Sequence, residues 1–194
     1  STQSIARLIA AVAAVNGMVV MDEAYQPFAT HSWLDELQAQ PVLHQHVLIM
    51  RTLSKFGLAG IRLGFLMGAE RLVAEIDKVR PPYNVNVLTA ECALFALEHK
   101  GEFALQAAQI CSERTRLLAA LGAWKNCRAY PSQANMILLR VADAAQTFTQ
   151  LKERGILIKN VSGLHPLLAN CIRLTVGTPD ENTAMLAALE AVWA

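Results

Sequence analysis

One stretch of this chain concentrates residue types that do chemistry: Arg51-Thr-Leu-Ser-Lys-Phe-Gly-Leu-Ala-Gly-Ile-Arg62-Leu-Gly-Phe65. It follows Val47-Leu-Ile-Met50, an apolar run short and β-branched enough to be a buried strand. A strand that leads into Ser54-Lys55 and then a glycine-punctuated loop delivers an amine to a sheet edge. A partly buried lysine loses its preference for the ammonium form, and the free amine attacks carbonyls. Taken alone, Lys55 reads better as a surface lysine on a turn. Its neighbours argue otherwise. Gly57 and Gly60 admit close backbone approach, and Ser54 and Arg62 are the residue types that hold a phosphate.

A carbonyl-reactive lysine beside a phosphate cradle points to pyridoxal phosphate. Asp22 adds to this, because it ends a second apolar run, Met18-Val-Val-Met21. By itself Asp22 is a helix N-cap or a loop acid. At the C-terminal end of a parallel strand, however, it sits where α/β ligands bind. Set against a pyridine nitrogen, a carboxylate keeps that nitrogen protonated, so the ring draws off carbanion charge. Arg173 lies in Cys-Ile-Arg-Leu-Thr-Val176, a short strand pattern. Facing inward it would need an anionic partner; facing water at an edge it would need none, and the pattern leaves both open.

These residues must be carried by a sheet. A helix over 4–15 stops at Asn16-Gly17, and the apolar strand 18–21 follows. A helix-like stretch and the strand 47–50 repeat the alternation, which is that of a parallel sheet covered on both faces. A third strand at 62–67 leads to a helix near 69–79 that Pro81-Pro82 stops, then to helices at 85–99 and 102–121. Beyond residue 122 the pattern becomes α+β. Strands near 126–130, 135–141, 156–158 and 172–176 surround helices near 143–154 and 180–193. The fold class is therefore α/β, divided near residue 104 into a domain over 1–104 and a smaller one over 105–194.

Composition removes several alternatives. Hydrophobic content of 54% in 194 residues supplies a substantial core, while a net charge of +1 gives no footprint for nucleic acid. Apolar runs end well short of a bilayer span, and Ser1-Thr-Gln-Ser-Ile-Ala-Arg7 is not a secretory leader. Cys92, Cys111, Cys127 and Cys171 are far apart, as expected of reduced, mostly buried thiols in a cytoplasmic protein. His44 and His46 have no carboxylate or thiol to complete a metal set, so they read as solvated loop residues and no metal is expected. His165 reads as a loop residue without a partner.

The segment Ser54-Lys55-Phe-Gly-Leu-Ala-Gly-Ile-Arg62-Leu-Gly-Phe65 resembles the Schiff-base lysine segment of fold-type I pyridoxal-phosphate aminotransferases. With Asp22-Glu-Ala-Tyr25 and Arg80-Pro-Pro-Tyr-Asn-Val-Asn86 the resemblance is strongest to the histidinol-phosphate aminotransferases. It implies part of the large parallel-sheet domain followed by the small C-terminal domain. By resemblance Lys55 is the Schiff-base residue and the base that moves the substrate proton, and Asp22 faces the pyridine nitrogen. Tyr25 would bond the cofactor's 3′-oxygen, although its ring also suits simple packing. Ser54 and Arg62 would hold the phosphate, Thr52 being a weaker candidate, and Arg173 the anionic end of the substrate. Arg51 has no assigned role, nor do Tyr83 and Asn84, and Asn135 is assigned a structural hydrogen bond.

The implied reaction exchanges an amino group between L-histidinol phosphate with 2-oxoglutarate and imidazole-acetol phosphate with L-glutamate. The enzyme would take a small-molecule amino donor and a keto-acid acceptor and act as a homodimer, without nucleic acid or membrane. An aminotransferase for aromatic amino acids and a threonine-phosphate decarboxylase share most of these motifs. A non-catalytic sensor domain of a transcription regulator would need a helix-turn-helix and a basic face, which this sequence lacks. The chain opens without methionine, inside an amphipathic pattern. The family's glycine-containing phosphate loop, ring-stacking aromatic, further asparagine and cross-dimer tyrosine are expected before residue 1.

Overall fold

The structure is a computed structural model and describes residues 2–193. The chain divides into two compact units, one reaching to Phe103 and the other starting at Ala104. In the first, helix α1 (Thr2–Ala13) leads into strand β1 (Val19–Asp22). Asn16 takes the left-handed conformation (φ 55°) and Gly17 N–H donates to the Val12 carbonyl at 2.9 Å, so α1 closes on a C-terminal turn. Glycine suits position 17, because a Cβ there would lie 2.7 Å from Val12 Cγ1 and 3.2 Å from the Val12 carbonyl oxygen.

Helix α2 (Trp33–Ala39) starts at Ser32, whose hydroxyl accepts from Leu34 N–H, and returns the chain to β2 (Val47–Thr52). Strands β1 and β2 pair in parallel, with Val19 opposite Val47 and Asp22 opposite Met50. Ile9, Trp33, Val47 and Ile49 form the core between the helices and one sheet face. The first strand is not buried throughout as its sequence predicts: burial alternates along it, and Val20 is 49% exposed. An all-apolar run cannot distinguish one covered face from two.

Strand β3 (Gly64–Gly68) pairs antiparallel with β2, Met50 opposite Leu66, so the expected all-parallel alternation stops there. Residues 53–63 hold only a π-type turn and a 3-10 turn. Parallel pairing needs a crossover of about a dozen residues or more, usually helical. Helices α3 (Glu70–Asp77) and α4 (Val87–Glu98) follow, the latter capped by Asn86 accepting from Thr89 N–H.

Helix α5 (Lys100–Gly122) crosses the unit boundary. The second unit is a four-stranded antiparallel sheet in the order β4-β5-β7-β6, made of β4 (Cys127–Ala129), β5 (Met136–Val141), β6 (Lys159–Asn160) and β7 (Cys171–Thr175). Helices α6 (Ala144–Glu153) and α7 (Pro179–Trp193) complete it. Alternation along β5 places Ile137, Leu139 and Val141 against Leu117, Leu121, Leu151, Ile172, Leu174 and Leu189. The strand expected at 156–158 lies instead at Lys159–Asn160, and Ile158 is a buried residue preceding it.

The cysteines are free thiols, but only Cys171 is buried and Cys92 is exposed, contrary to the mostly buried set expected. No helix among the described residues is long and apolar enough to cross a membrane.

One polar cluster staples α5 to α7. Buried Asn182 donates to Glu113 Oε2 at 2.8 Å and Arg116 Nη2 donates to the same oxygen at 2.7 Å. The Arg116 hydrogen bond, then that of Asn182, hold the Glu113 carboxyl below its ordinary value. A carboxyl lowered in the folded state adds stability above its unfolded value, and that stability is lost as pH falls through the folded value. The urea midpoint is therefore expected to fall below about pH 4.5. Glu113→Gln should flatten that acid limb; an unchanged limb would remove Glu113 from its cause.

Candidate active site

The C-terminal ends of β1 and β2 lie side by side because the two strands are parallel and in register. Asp22 is the last residue of β1, and Lys55 follows β2 in a π-type turn over Ser54–Leu58. Tyr25 enters a 3-10 turn just beyond β1. Its ring lies under Lys55 Nζ, 5.3 Å from the ring centroid. Asp22, Tyr25 and Lys55 thus all lie at or just beyond the C-terminal ends of these two strands, with Lys55 over the Tyr25 ring.

The lysine turn is built tightly. Phe56 and Leu58 N–H both donate to the Leu53 carbonyl, at 3.0 and 3.2 Å, and Leu53 N–H donates to Leu63 O at 3.0 Å. The Thr52 hydroxyl donates to Leu63 O at 3.1 Å and accepts from Ser54 N–H at 3.0 Å. Thr52 therefore pins both ends of the loop that carries Lys55. Gly57 sits at φ 94°, open essentially to glycine, whereas a Cβ on Gly60 would meet nothing within 4 Å. The close approach expected at both glycines is a backbone requirement at Gly57 alone. Arg62 is exposed and left-handed at φ 53°, a conformation costly for a non-glycine residue. It makes no ion pair among the described residues.

Lys55 itself is exposed, as is Asp22, so this chain does not supply the partial burial that the sequence predicts for the amine. A primary amine, an anionic acceptor, a phenol, a hydroxyl and a guanidinium without an ion pair among the described residues are nevertheless the donor types that fit a pyridine aldehyde phosphate. Asp22 Oδ1 accepts from Ala24 N–H at 3.0 Å, which aims the carboxylate without a competing cation.

Two residues with no assigned role prove to be engaged beside this set. Arg51 Nε and Nη2 donate to Glu23 Oε2 at 3.1 and 2.9 Å, and Nη2 also donates to Ser32 Oγ at 2.7 Å. The signal was the pairing of opposite charges at the ends of two neighbouring strands, visible only once the strands are known to pair.

Arg173 belongs to the second unit. It is neither inward-facing nor at an edge: β7 is an internal strand, and Arg173 alternates with buried Ile172 and Leu174 onto the open face. Lys159, which the sequence did not single out, stands opposite it in register, with Leu138 on the other side. Like charges directly opposite are destabilising unless an anion lies between them.

The histidines differ from expectation. His44 is buried, with Nδ1 3.2 Å from the Glu36 carbonyl and its ring edge-on to Trp33; His46 Nε2 lies 3.2 Å from the Ile9 carbonyl. His165 has a partner, since its Nδ1 accepts from Leu167 N–H at 3.1 Å and caps a 3-10 turn. The Asn135 carbonyl accepts from Val176 N–H at 2.9 Å. Tyr83 is 96% exposed at φ 60°, and Asn84 Oδ1 accepts from Arg80 at 2.9 Å.

The histidinol-phosphate aminotransferase of Methylibium petroleiphilum is 63% identical over 188 residues, covering 97% of this chain and 50% of that protein. That of Paracidovorax citrulli is 59% identical, over 97% of this chain and 51% of its own length. The chain thus spans about half the length of the curated relatives it matches. Among solved structures, the histidinol-phosphate aminotransferase of Clostridium acetobutylicum superposes with a TM-score of 0.86 at 21% identity, over 99% of this chain and 59% of that one. The Sinorhizobium meliloti enzyme, in complex with pyridoxal-5′-phosphate, gives 0.76 at 24% identity, over 96% of this chain and 52% of that one. The architecture is therefore that of fold-type I aminotransferases. Residues 1–189 match the family model described as aminotransferase class I and II, and the chain belongs to that family.

Proposed function

We propose that the complete polypeptide carrying this segment is a pyridoxal-phosphate-dependent transaminase of histidine biosynthesis. It interconverts L-histidinol phosphate with 2-oxoglutarate and imidazole-acetol phosphate with L-glutamate. The observation that carries the reading is the placement of Asp22 at the end of β1 and of Lys55 beyond the end of the parallel strand β2, with the Lys55 amine over the Tyr25 ring. The relatives at 59–63% identity support the choice of substrate. We assign residues 1–104 to the C-terminal part of the cofactor-binding domain and 105–194 to the small domain, in a cytoplasmic homodimer.

Pyridoxal phosphate, when bound, supplies the electron sink that makes the substrate α-proton removable. Lys55 would hold the cofactor through its amine, be freed when the substrate's own amine takes its place, and then carry the α-proton off and back as a positioned base. Asp22 would keep the ring nitrogen protonated, and Tyr25 would donate to the 3′-oxygen. Ser54 and Arg62 would hold the phosphate. Arg173 with Lys159 takes the substrate's anionic end, a pairing that relieves two like charges set opposite each other.

A half-reaction tests this. L-Histidinol phosphate added to the loaded enzyme without keto acid should convert the bound cofactor to its amino form. Rapid conversion by aromatic amino acids instead would move the assignment to an aromatic aminotransferase. Arg173→Met should raise the KM for the phosphorylated donor about 10- to 100-fold, the worth of a charged hydrogen bond, with Lys159→Met in the same direction. An unchanged KM in both would remove this face from the substrate site.

A further inference from the structure

The cluster of Glu23, Ser32 and Arg51 is absent from the roles just given, yet it joins the two strand ends that carry them. Glu23 directly follows Asp22, and Arg51 lies four residues before Lys55. The carboxylate side chain is 9% exposed and the guanidinium 21%, and Ser32 is buried. Glu23 Oε2 accepts from Arg51 Nη2 at 2.9 Å and from Ser32 Oγ at 3.0 Å, while Oε1 accepts from Trp33 N–H at 2.6 Å. One carboxylate therefore anchors β1, β2 and the start of α2.

We infer that Glu23 and Arg51 are positioning residues, a clamp that fixes the spacing of the β1 and β2 ends and so of Asp22 and Lys55. This rests on the roles proposed above for those two residues. Stability alone does not account for the pair, since a well-packed apolar pair of similar volume is commonly as stable as a buried ion pair. What the fork adds is direction, because its planar donors hold the carboxylate in one orientation.

The clamp has a short path to each functional group. Glu23 N–H donates to the Met50 carbonyl at 2.8 Å, continuing the parallel ladder past Asp22. On the other strand Thr52, next to Arg51, holds Ser54 N–H and the Leu63 carbonyl. A shift of Arg51 thus moves the base of the Lys55 turn, while a shift of Glu23 moves Asp22. Sites of this kind need their reacting groups held to about 0.5 Å by supporting contacts.

The test uses the complete polypeptide with Arg51→Met, Arg51→Lys and Glu23→Gln. Arg51→Met is expected to lower kcat about 100-fold, the cost of a misplacement near 1 Å, with KM within about threefold. Without cofactor, amide exchange should quicken at least about tenfold at Ala24 and Ser54 and stay unchanged at Ile49 and Leu139. Arg51→Lys, which keeps one donor, should recover about tenfold of the lost kcat.

Wild-type kcat and exchange in Arg51→Met would overturn the clamp. So would exchange that quickens uniformly, the sign of a merely structural role, or a lysine variant that recovers nothing. If Arg51→Met does not fold, Glu23→Gln decides: exchange confined to the two turns supports the clamp, and wild-type exchange overturns it. Failure of the underlying roles is distinguishable, because a Lys55→Ala enzyme that keeps the wild-type absorbance of bound cofactor would sink them whatever the exchange shows.

Discussion

Lys55→Ala is expected to abolish transamination in the complete enzyme, lowering turnover by about 10⁴-fold, the upper end of what a positioned base is worth. The same substitution removes the nucleophile, so borohydride reduction of the loaded wild type should attach the cofactor to the peptide containing Lys55, and reduction of the variant should attach none. The fold should be untouched. Lys55 is exposed, and its Nζ lies 5.3 Å from the centroid of the Tyr25 ring. A cation over an aromatic face at an exposed site contributes about 0.5–1 kcal/mol, too little to unfold a domain. A variant that retains turnover above about 10% of wild type would eliminate Lys55 as the base. Attachment of cofactor to another lysine would eliminate it as the nucleophile.

The turn that carries Lys55 was legible because a motif is local. Ser54-Lys55 before Gly57 and Arg62 announces a turn, and only the geometry of the turn, with Gly57 at φ 94°, had to be supplied by the structure. The helices over 69–79, 85–99 and 143–154 were legible for the same reason, as capping and periodicity are written within a few turns. Pairing direction was not. Whether β3 runs with or against β2 depends on what residues 53–63 can span, and the apolar pattern of a strand is the same either way. Burial was not legible either. Lys55, Asp22 and Arg173 are exposed in this chain, while His44, read as a solvated loop residue, lies against Trp33. The sequence marks polarity, but the neighbours that decide exposure come from elements far along the chain. Arg51 and Glu23 illustrate this best, since they are 28 residues apart and meet only because β1 and β2 pair in register.

Asp22→Asn should separate the electrostatic contribution of the site from its shape. Asn is nearly isosteric with Asp, and its amide oxygen can keep the 3.0 Å hydrogen bond from Ala24 N–H, so the turn after β1 should hold. What disappears is the negative charge that favours a protonated ring nitrogen. Without it, charge leaving the substrate α-carbon has a poorer acceptor, and the cost falls on the transition state more than on binding. Removing one preorganised electrostatic partner of developing charge costs about 10²–10³-fold in turnover. The expected signature is therefore a fall of that size in kcat for the L-histidinol phosphate half-reaction, with cofactor still attached at Lys55 and little change in KM. A variant with wild-type kcat would mean that Asp22 serves only the turn it caps. A variant that lost kcat and cofactor attachment together would make Asp22 an anchor of binding and leave the charge argument without support. Asp22→Ala divides these cases further, because it removes the Ala24 hydrogen bond as well as the charge: if kcat depends on charge alone, Ala and Asn should be equally slow.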